Sequence, residues 1–212
     1  MKDNSPMMVV FAVWAALAVF LSGISARRVE LYNDPEKLWK DAYRHQPDSI
    51  TVNLSLAALL SRSGQVQKAV EYDRRADELL RRAVEAHPDV AMLTLYGGRL
   101  RRAGRFEEAV ATLQDALAIA PRSGTILNNL GMALVESGRP EGAIARFREA
   151  VEIVPDDFEV RASLAVAYAR AGQGELAMTE AKRAICLAKM QGNSELATRI
   201  QAWLNSYRKS VP

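Results

Sequence analysis

ILNNLGMALVESGRPEGAIARFREAVEIVPDD, residues Ile126–Asp157, holds the plan of the molecule in one stretch. Apolar residues recur at helical spacing as far as Leu134, and Gly138 then breaks the run. A second helical pattern carries Ala143, Phe147 and Ala150, and Pro155 stops it. Glycine can end the first helix because, lacking a Cβ, it enters the left-handed region without strain. Proline can end the second because it has no amide to give to a helical ladder. The stretch therefore predicts two helices joined by a tight turn.

Outward from it, the same punctuation returns. Ser63-Gly64, Ala103-Gly104, Ser137-Gly138 and Ala171-Gly172 are 40, 34 and 34 residues apart. Before each glycine an apolar helical pattern ends, at Leu60, Leu100, Leu134 and Tyr168. Five residues after each comes an alanine, at Ala69, Ala109, Ala143 and Ala177. In the last three units Ala116, Ala150 and Ala184 follow seven residues later. Pro121 and Pro155 close two units, and Lys189 holds the matching place in the last. A small residue in each first helix (Ala57, Gly97, Gly131, Ala165) lets it approach the second closely. A repeat of this length means hairpins that must stack to bury their apolar faces.

The pattern resembles the tetratricopeptide-repeat (TPR) family. Leu130, Gly131, Leu134, Gly138, Ala143, Phe147, Ala150 and Pro155 fall at its signature positions, and the resemblance covers about residues 35–208. It implies an all-α solenoid: a half repeat, four helical hairpins and a C-terminal capping helix. The repeats are expected at 49–88, 89–122, 123–156 and 157–191, after a linker and lone helix in 29–48 and before a cap and tail in 192–212. In the lone helix, expected over 35–46, Asp34 is a good N-cap and Pro35 a good first residue. The 40-residue spacing reflects seven extra residues in the second helix of the first repeat and a loop one residue shorter. A long helix from near Val66 to Ala86 is thus expected, packing over the lone helix or offering Arg74, Arg75, Arg81 and Arg82 to a partner or membrane. At the far end Asn193 or Ser194 can cap a helix whose Leu196, Ile200, Trp203, Leu204 and Tyr207 make one apolar stripe.

Met7–Ile24 contains no charged residue, and Arg27 and Arg28 follow. Extended over residues 7–26, a helix would be roughly 30 Å long, the thickness of a bilayer's hydrocarbon core. The expectation is an N-terminal transmembrane anchor in 1–28. The competing reading is a cleaved signal peptide, for which Ser22–Ala26 supplies small residues. The positive-inside count, Lys2 and the amine against Arg27 and Arg28, leans weakly to a cytoplasmic repeat domain. A second resemblance leans the other way. Arg27–Ser49, with Asp34, Leu38-Trp39 and Pro47, is similar to the junction after the last membrane helix of transmembrane-and-TPR glycosyltransferase-like proteins, whose repeats lie outside the cytoplasm. The catalytic part of those proteins is absent. The resulting expectation is a single-pass inner-membrane protein with a periplasmic repeat domain.

Composition excludes several functions. Hydrophobic residues make up 49% of the chain but aromatics only 7%, which favours helix over sheet. A formal charge of +3, with basic and acidic residues interspersed, does not suit nucleic acid. The single cysteine, Cys186, permits no intrachain disulfide and reads as a small core residue. His45 and His87 precede prolines at helix ends, where a cation suits the helix dipole. Glu107-Glu108 and Asp156-Asp157 stand at helix starts for the converse reason. No zinc-protease, CxxC, nucleophile-elbow or phosphate-loop pattern is present, so no catalytic residue, metal or cofactor is expected.

What the TPR resemblance implies instead is a concave binding groove formed by the first helices. It would include Thr51, Leu54, Ala58 and Ser61, then Thr94, Gly98 and Arg101, then Thr125, Asn128, Met132 and Val135, then Glu159, Ala162 and Val166. Arg99, Arg101, Arg102 and Arg105 form the densest basic cluster, either a solvated helix end or a contact for an acidic peptide or polysaccharide. The expected function is a non-catalytic, membrane-anchored adaptor for protein partners in a membrane complex. The alternative is an accessory factor in polysaccharide or glycan synthesis or export.

Overall fold

A computed structural model describes residues 34–210. The expected anchor, residues 7–26, lies outside the described residues. Among the described residues no helix is long and apolar enough to cross a membrane. They form ten α-helices and no strand, in two compact units, 34–79 and 80–210.

The first unit contains α1 (Pro35–His45), α2 (Ile50–Arg62) and the start of α3 (Val66–Ala86). Asp34 caps α1 as expected, its carboxylate accepting from the amides of Glu36 and Lys37 at 3.0 and 3.2 Å. Leu56 and Leu60 of α2 are fully buried. Beside them Asn53 is also buried, and its amide donates to the carbonyls of Pro47 and Ser49, both at 2.8 Å. The long α3 has 21 residues, seven more than α5 and α7 below, over the span the sequence predicts. It packs on α1: Tyr72 meets Tyr43 edge-on with ring centroids 5.1 Å apart. Arg75 bonds Asp48 at 2.9 Å. Arg81 pairs with Glu85, one turn along the same helix, at 2.7 Å.

The second unit continues with α4 (Val90–Arg102), α5 (Phe106–Ile119), α6 (Gly124–Glu136), α7 (Pro140–Ile153), α8 (Phe158–Arg170), α9 (Gly174–Met190) and α10 (Ser194–Ser210). Helices α4/α5, α6/α7 and α8/α9 form hairpins, successive hairpins pack side by side, and α10 covers α9. One core cluster runs through it, around Leu113, Leu130, Phe147 and Leu164. The small positions do what the sequence implies. A Cβ built on Gly131 would lie 2.6 Å from the Phe147 ring, and one on Gly97 would lie 2.5 Å from Cγ of Leu113.

The turns repeat atom for atom. Gly64, Gly104, Gly138 and Gly172 have φ of +78°, +76°, +78° and +74°. After each, the next amide reaches back to the carbonyl of Leu60, Leu100, Leu134 or Tyr168 at 2.8–2.9 Å, closing a Schellman motif. Each first helix is also capped, by Ser49, Asp89, Ser123 or Asp157. Helix α9 differs. With Lys189 where proline stood, it runs 17 residues instead of 14 and ends at a fifth left-handed glycine, Gly192. Asn193 then caps α10, accepting from the amide of Leu196 at 3.1 Å.

Cys186 corrects a sequence expectation. The buried face of α9 carries Ala177, Ala181, Ala184, Ile185 and Ala188, and position 186 is turned out of that stripe. The thiol is exposed rather than part of the core.

Candidate functional site

Helices α4 and α6 are the first helices of successive hairpins and lie against each other. Between them runs an open groove of about 690 Å³. Helix α4 contributes Val90, Ala91, Thr94, Leu95, Gly98, Arg101 and Arg102, and α6, with its cap, contributes Ser123, Thr125, Ile126 and Asn129. Thirteen residues of α4 give it a length of roughly 18 Å at 1.5 Å per residue, enough for about five residues of extended chain.

The lining is mostly apolar, with Thr94, Thr125 and Asn129 along it and Arg101 and Arg102 at one end. Leu95 is exposed. Thr94 satisfies its hydroxyl within the helix, donating to the carbonyl of Val90 at 2.6 Å. At the far end Arg101 crosses to α6, where its Nη1 donates to Oε1 of Glu136 at 2.7 Å. Both side chains are largely withdrawn from water, at 21% and 33% exposed. The Arg101 Nε is buried and has no acceptor. Arg102 lies alongside, its Nε 3.4 Å from the carbonyl of Gly98. Gly98 itself is half-buried in the interior of α4, and a Cβ there would meet nothing within 4 Å. Glycine costs a helix interior about 1 kcal/mol relative to alanine, and here no close packing accounts for it.

Of the expected groove residues, Thr94, Gly98, Arg101 and Thr125 line this one. Thr51, Leu54 and Ala58 stand on α2 in the first unit, with Thr51 and Ala58 exposed and Leu54 half-buried. Asn128 and Met132 are half-buried on α6, outside the lining, and the side-chain oxygen of Asn128 is buried without a partner. Val135 is buried in the core, so it does not face an open groove. It occupies on α6 the place that Arg101 holds on α4, 34 residues earlier. Glu159 is exposed on α8, while Ala162 and Val166 are half-buried there and pack against the core.

Sequence reasoning missed Val90, Ala91, Leu95, Ser123, Ile126 and Asn129 of the lining, and Glu136, which holds Arg101 beside it. It assigned one stripe to every first helix, whereas a groove between two neighbours takes different stripes from each. A signal was present for Glu136. It follows Arg101 by 35 residues, one more than the repeat, so opposite charges stand at the same end of adjacent helices.

The rest of the basic cluster is also engaged. Arg105 forks onto both oxygens of Glu108, at 2.7 and 2.5 Å. That guanidinium holds the Glu108 carboxyl below its ordinary value. The acidic pairs serve helix starts: Glu107 and Glu108 lie in the first turn of α5, and Asp157 caps α8. His45 ends α1, with Nδ1 2.9 Å from the carbonyl of Asp41. Among the described residues no group of three or more His, Cys, Asp or Glu could hold a metal ion.

Models of the tetratricopeptide repeat match residues 48–122, and 100–146 with 134–185. Together they run from 48 to 185, so these hairpins are tetratricopeptide repeats and the fold is an all-α TPR solenoid. Among solved structures the chain is similar to MamA from AMB-1, with 27% identity, a TM-score of 0.55, and 79% of this chain and 96% of that one covered. It is also similar to MamA from MSR-1, at 24% identity and TM-score 0.55, with 80% and 94% covered. A third, residues 41 to the end of MamA from Desulfovibrio magneticus RS-1, gives 19% identity and TM-score 0.56, with 84% and 96% covered. At the last two identities the likeness concerns the fold alone. No curated protein matches the chain.

Proposed function

We propose that this chain is a non-catalytic TPR adaptor, anchored in the inner membrane by residues 7–26, with its repeats on the periplasmic side. It would hold a segment of a protein partner in the α4–α6 groove and serve as a subunit or assembly factor of a membrane complex. The open groove carries this reading: a mostly apolar trough with a few polar points and two arginines at one end, long enough for a short peptide segment. An anchor would confine the groove to the bilayer surface and raise its effective concentration for partners there.

The test is gentle detergent purification of the full-length tagged chain from its native membrane, followed by mass spectrometry. Stoichiometric membrane proteins are expected with it. Recovery of the chain alone, under conditions that keep other membrane complexes intact, would overturn the adaptor reading. A glycan-accessory role is the second reading, favoured by the two guanidinium groups in the groove. It requires polysaccharide binding that disappears when Arg101 and Arg102 become alanine.

A further inference from the structure

Two features of the α4–α6 groove are left over once the fold is accounted for. The first is Gly98, which weakens the interior of α4 although an added Cβ would meet nothing within 4 Å. What glycine does at that position is leave the groove open down to the backbone of α4. The second is Arg101, one turn further along. It gives Nη1 to Glu136, but its Nε is buried without an acceptor. The lining carries the guanidinium groups of Arg101 and Arg102 and no carboxylate. An unsatisfied donor on a charged group favours an incoming anion, and the edge of a guanidinium matches a planar carboxylate at two points.

We propose that the groove takes a peptide segment of its partner that seats a bulky apolar side chain over Gly98 and sets a carboxylate on Arg101. This rests on the adaptor reading, because a peptide must enter the groove at all. Positions three apart on a helix face are roughly 5–6 Å from each other. An extended chain advances about 3.3 Å per residue. The acidic residue therefore stands one or two positions from the apolar one. Leu95 and Thr94 flank the apolar side chain, and Glu136 keeps its bond to Nη1 while the Nε edge turns to the ligand.

The probe is a displayed library of random seven-residue peptides, selected on the full-length chain in detergent micelles, with affinities then measured by fluorescence polarisation. The expected peptides pair Leu, Phe or Trp with Asp or Glu one or two positions away. Gly98→Trp, which fills the groove from a position with free space, abolishes their binding. Arg101→Gln weakens it roughly tenfold to a hundredfold, and selection on that variant no longer enriches acidic residues. Glu136→Gln, which removes only the internal partner of Arg101, keeps the preference. Helical circular dichroism confirms that each variant is folded. If peptides bind and Gly98→Trp blocks them but acidic residues are not enriched, the carboxylate assignment is overturned and the adaptor reading stands. If no peptide is selected, or binding survives Gly98→Trp, the groove is not the binding site and both fall.

Discussion

Gly98 and Gly131 are both glycines inside a helix, yet one alanine test should give opposite results at the two. At Gly98 the added methyl meets open space, so Gly98→Ala is expected to stabilise by up to about 1 kcal/mol through helix propensity. At Gly131 the methyl would sit 2.6–2.9 Å from three atoms of the Phe147 ring. Overpacking of that kind costs roughly 1–3 kcal/mol, and thermal melts of the two variants against wild type would show shifts of opposite sign. Phe147 is fully buried in the core cluster, and Phe147→Ala should cost about 3–5 kcal/mol. The surface ion pairs act on a smaller scale and with a defined pH sign. Lys40 and Arg105 hold the carboxyls of Glu36 and Glu108 below their ordinary values. A depressed folded-state value means that the contribution is present above the ordinary carboxylate range and is lost as pH falls through the lowered value. Both groups are solvent-exposed, so the effect is small. Melting temperatures of Glu36→Gln and Glu108→Gln chains should fall slightly below wild type at neutral pH and converge with it in acid.

The elements are set by their ends. A side-chain cap starts each first helix of the repeats, and a left-handed glycine with its back-bonded amide finishes it. Asp157 accepts from the amides of Glu159 and Val160 at 2.8 and 3.0 Å, so Asp157→Ala should cost about 1 kcal/mol in a denaturant titration. These ends were legible beforehand because they are local. Gly64, Gly104, Gly138 and Gly172 mark themselves by spacing, and the seven extra residues of α3 show as a 40-residue gap among 34-residue ones. The left-handed Gly192 was not read, because it ends a second helix, where the other units use proline. Nor was the exposed thiol of Cys186, since its apolar neighbours Ile185 and Leu187 suggest a core position until the helix phase is fixed by Ala181, Ala184 and Ala188. Helix α10 shields Ala184, Ile185 and Ala188 within one cluster with Ile200 and Leu204. A chain ending at Gln191 should therefore melt lower and aggregate, as followed by light scattering during a thermal ramp.

For the molecule as a whole, the groove was the hardest part to read in advance. Repeat positions repeat, but a groove exists only where neighbouring helices carry different residues at equivalent places. Arg101 faces a groove while Val135, its counterpart 34 residues on, is buried in the core. Periodicity predicts the same role for both, and only the packing of α6 and α8 separates them. The same reasoning explains why Thr94, Gly98 and Thr125 were found and Asn129 was not. At this scale the proposed anchor makes its own prediction. The full-length chain should stay in the membrane pellet through alkaline carbonate extraction, whereas a chain starting at residue 29 should be released.

The thiol of Cys186 is the sole one in the sequence, and it faces solvent. The native chain thus carries a ready-made chemical address. A small maleimide that cannot cross a bilayer will mark the protein at one atom, and only if that atom lies on the side where the reagent is added. Modification in intact cells, visible as a single mass increment on the purified chain, is the outcome that a periplasmic repeat domain requires. Modification only after the inner membrane is opened would place the repeats, and whatever they grip, in the cytoplasm.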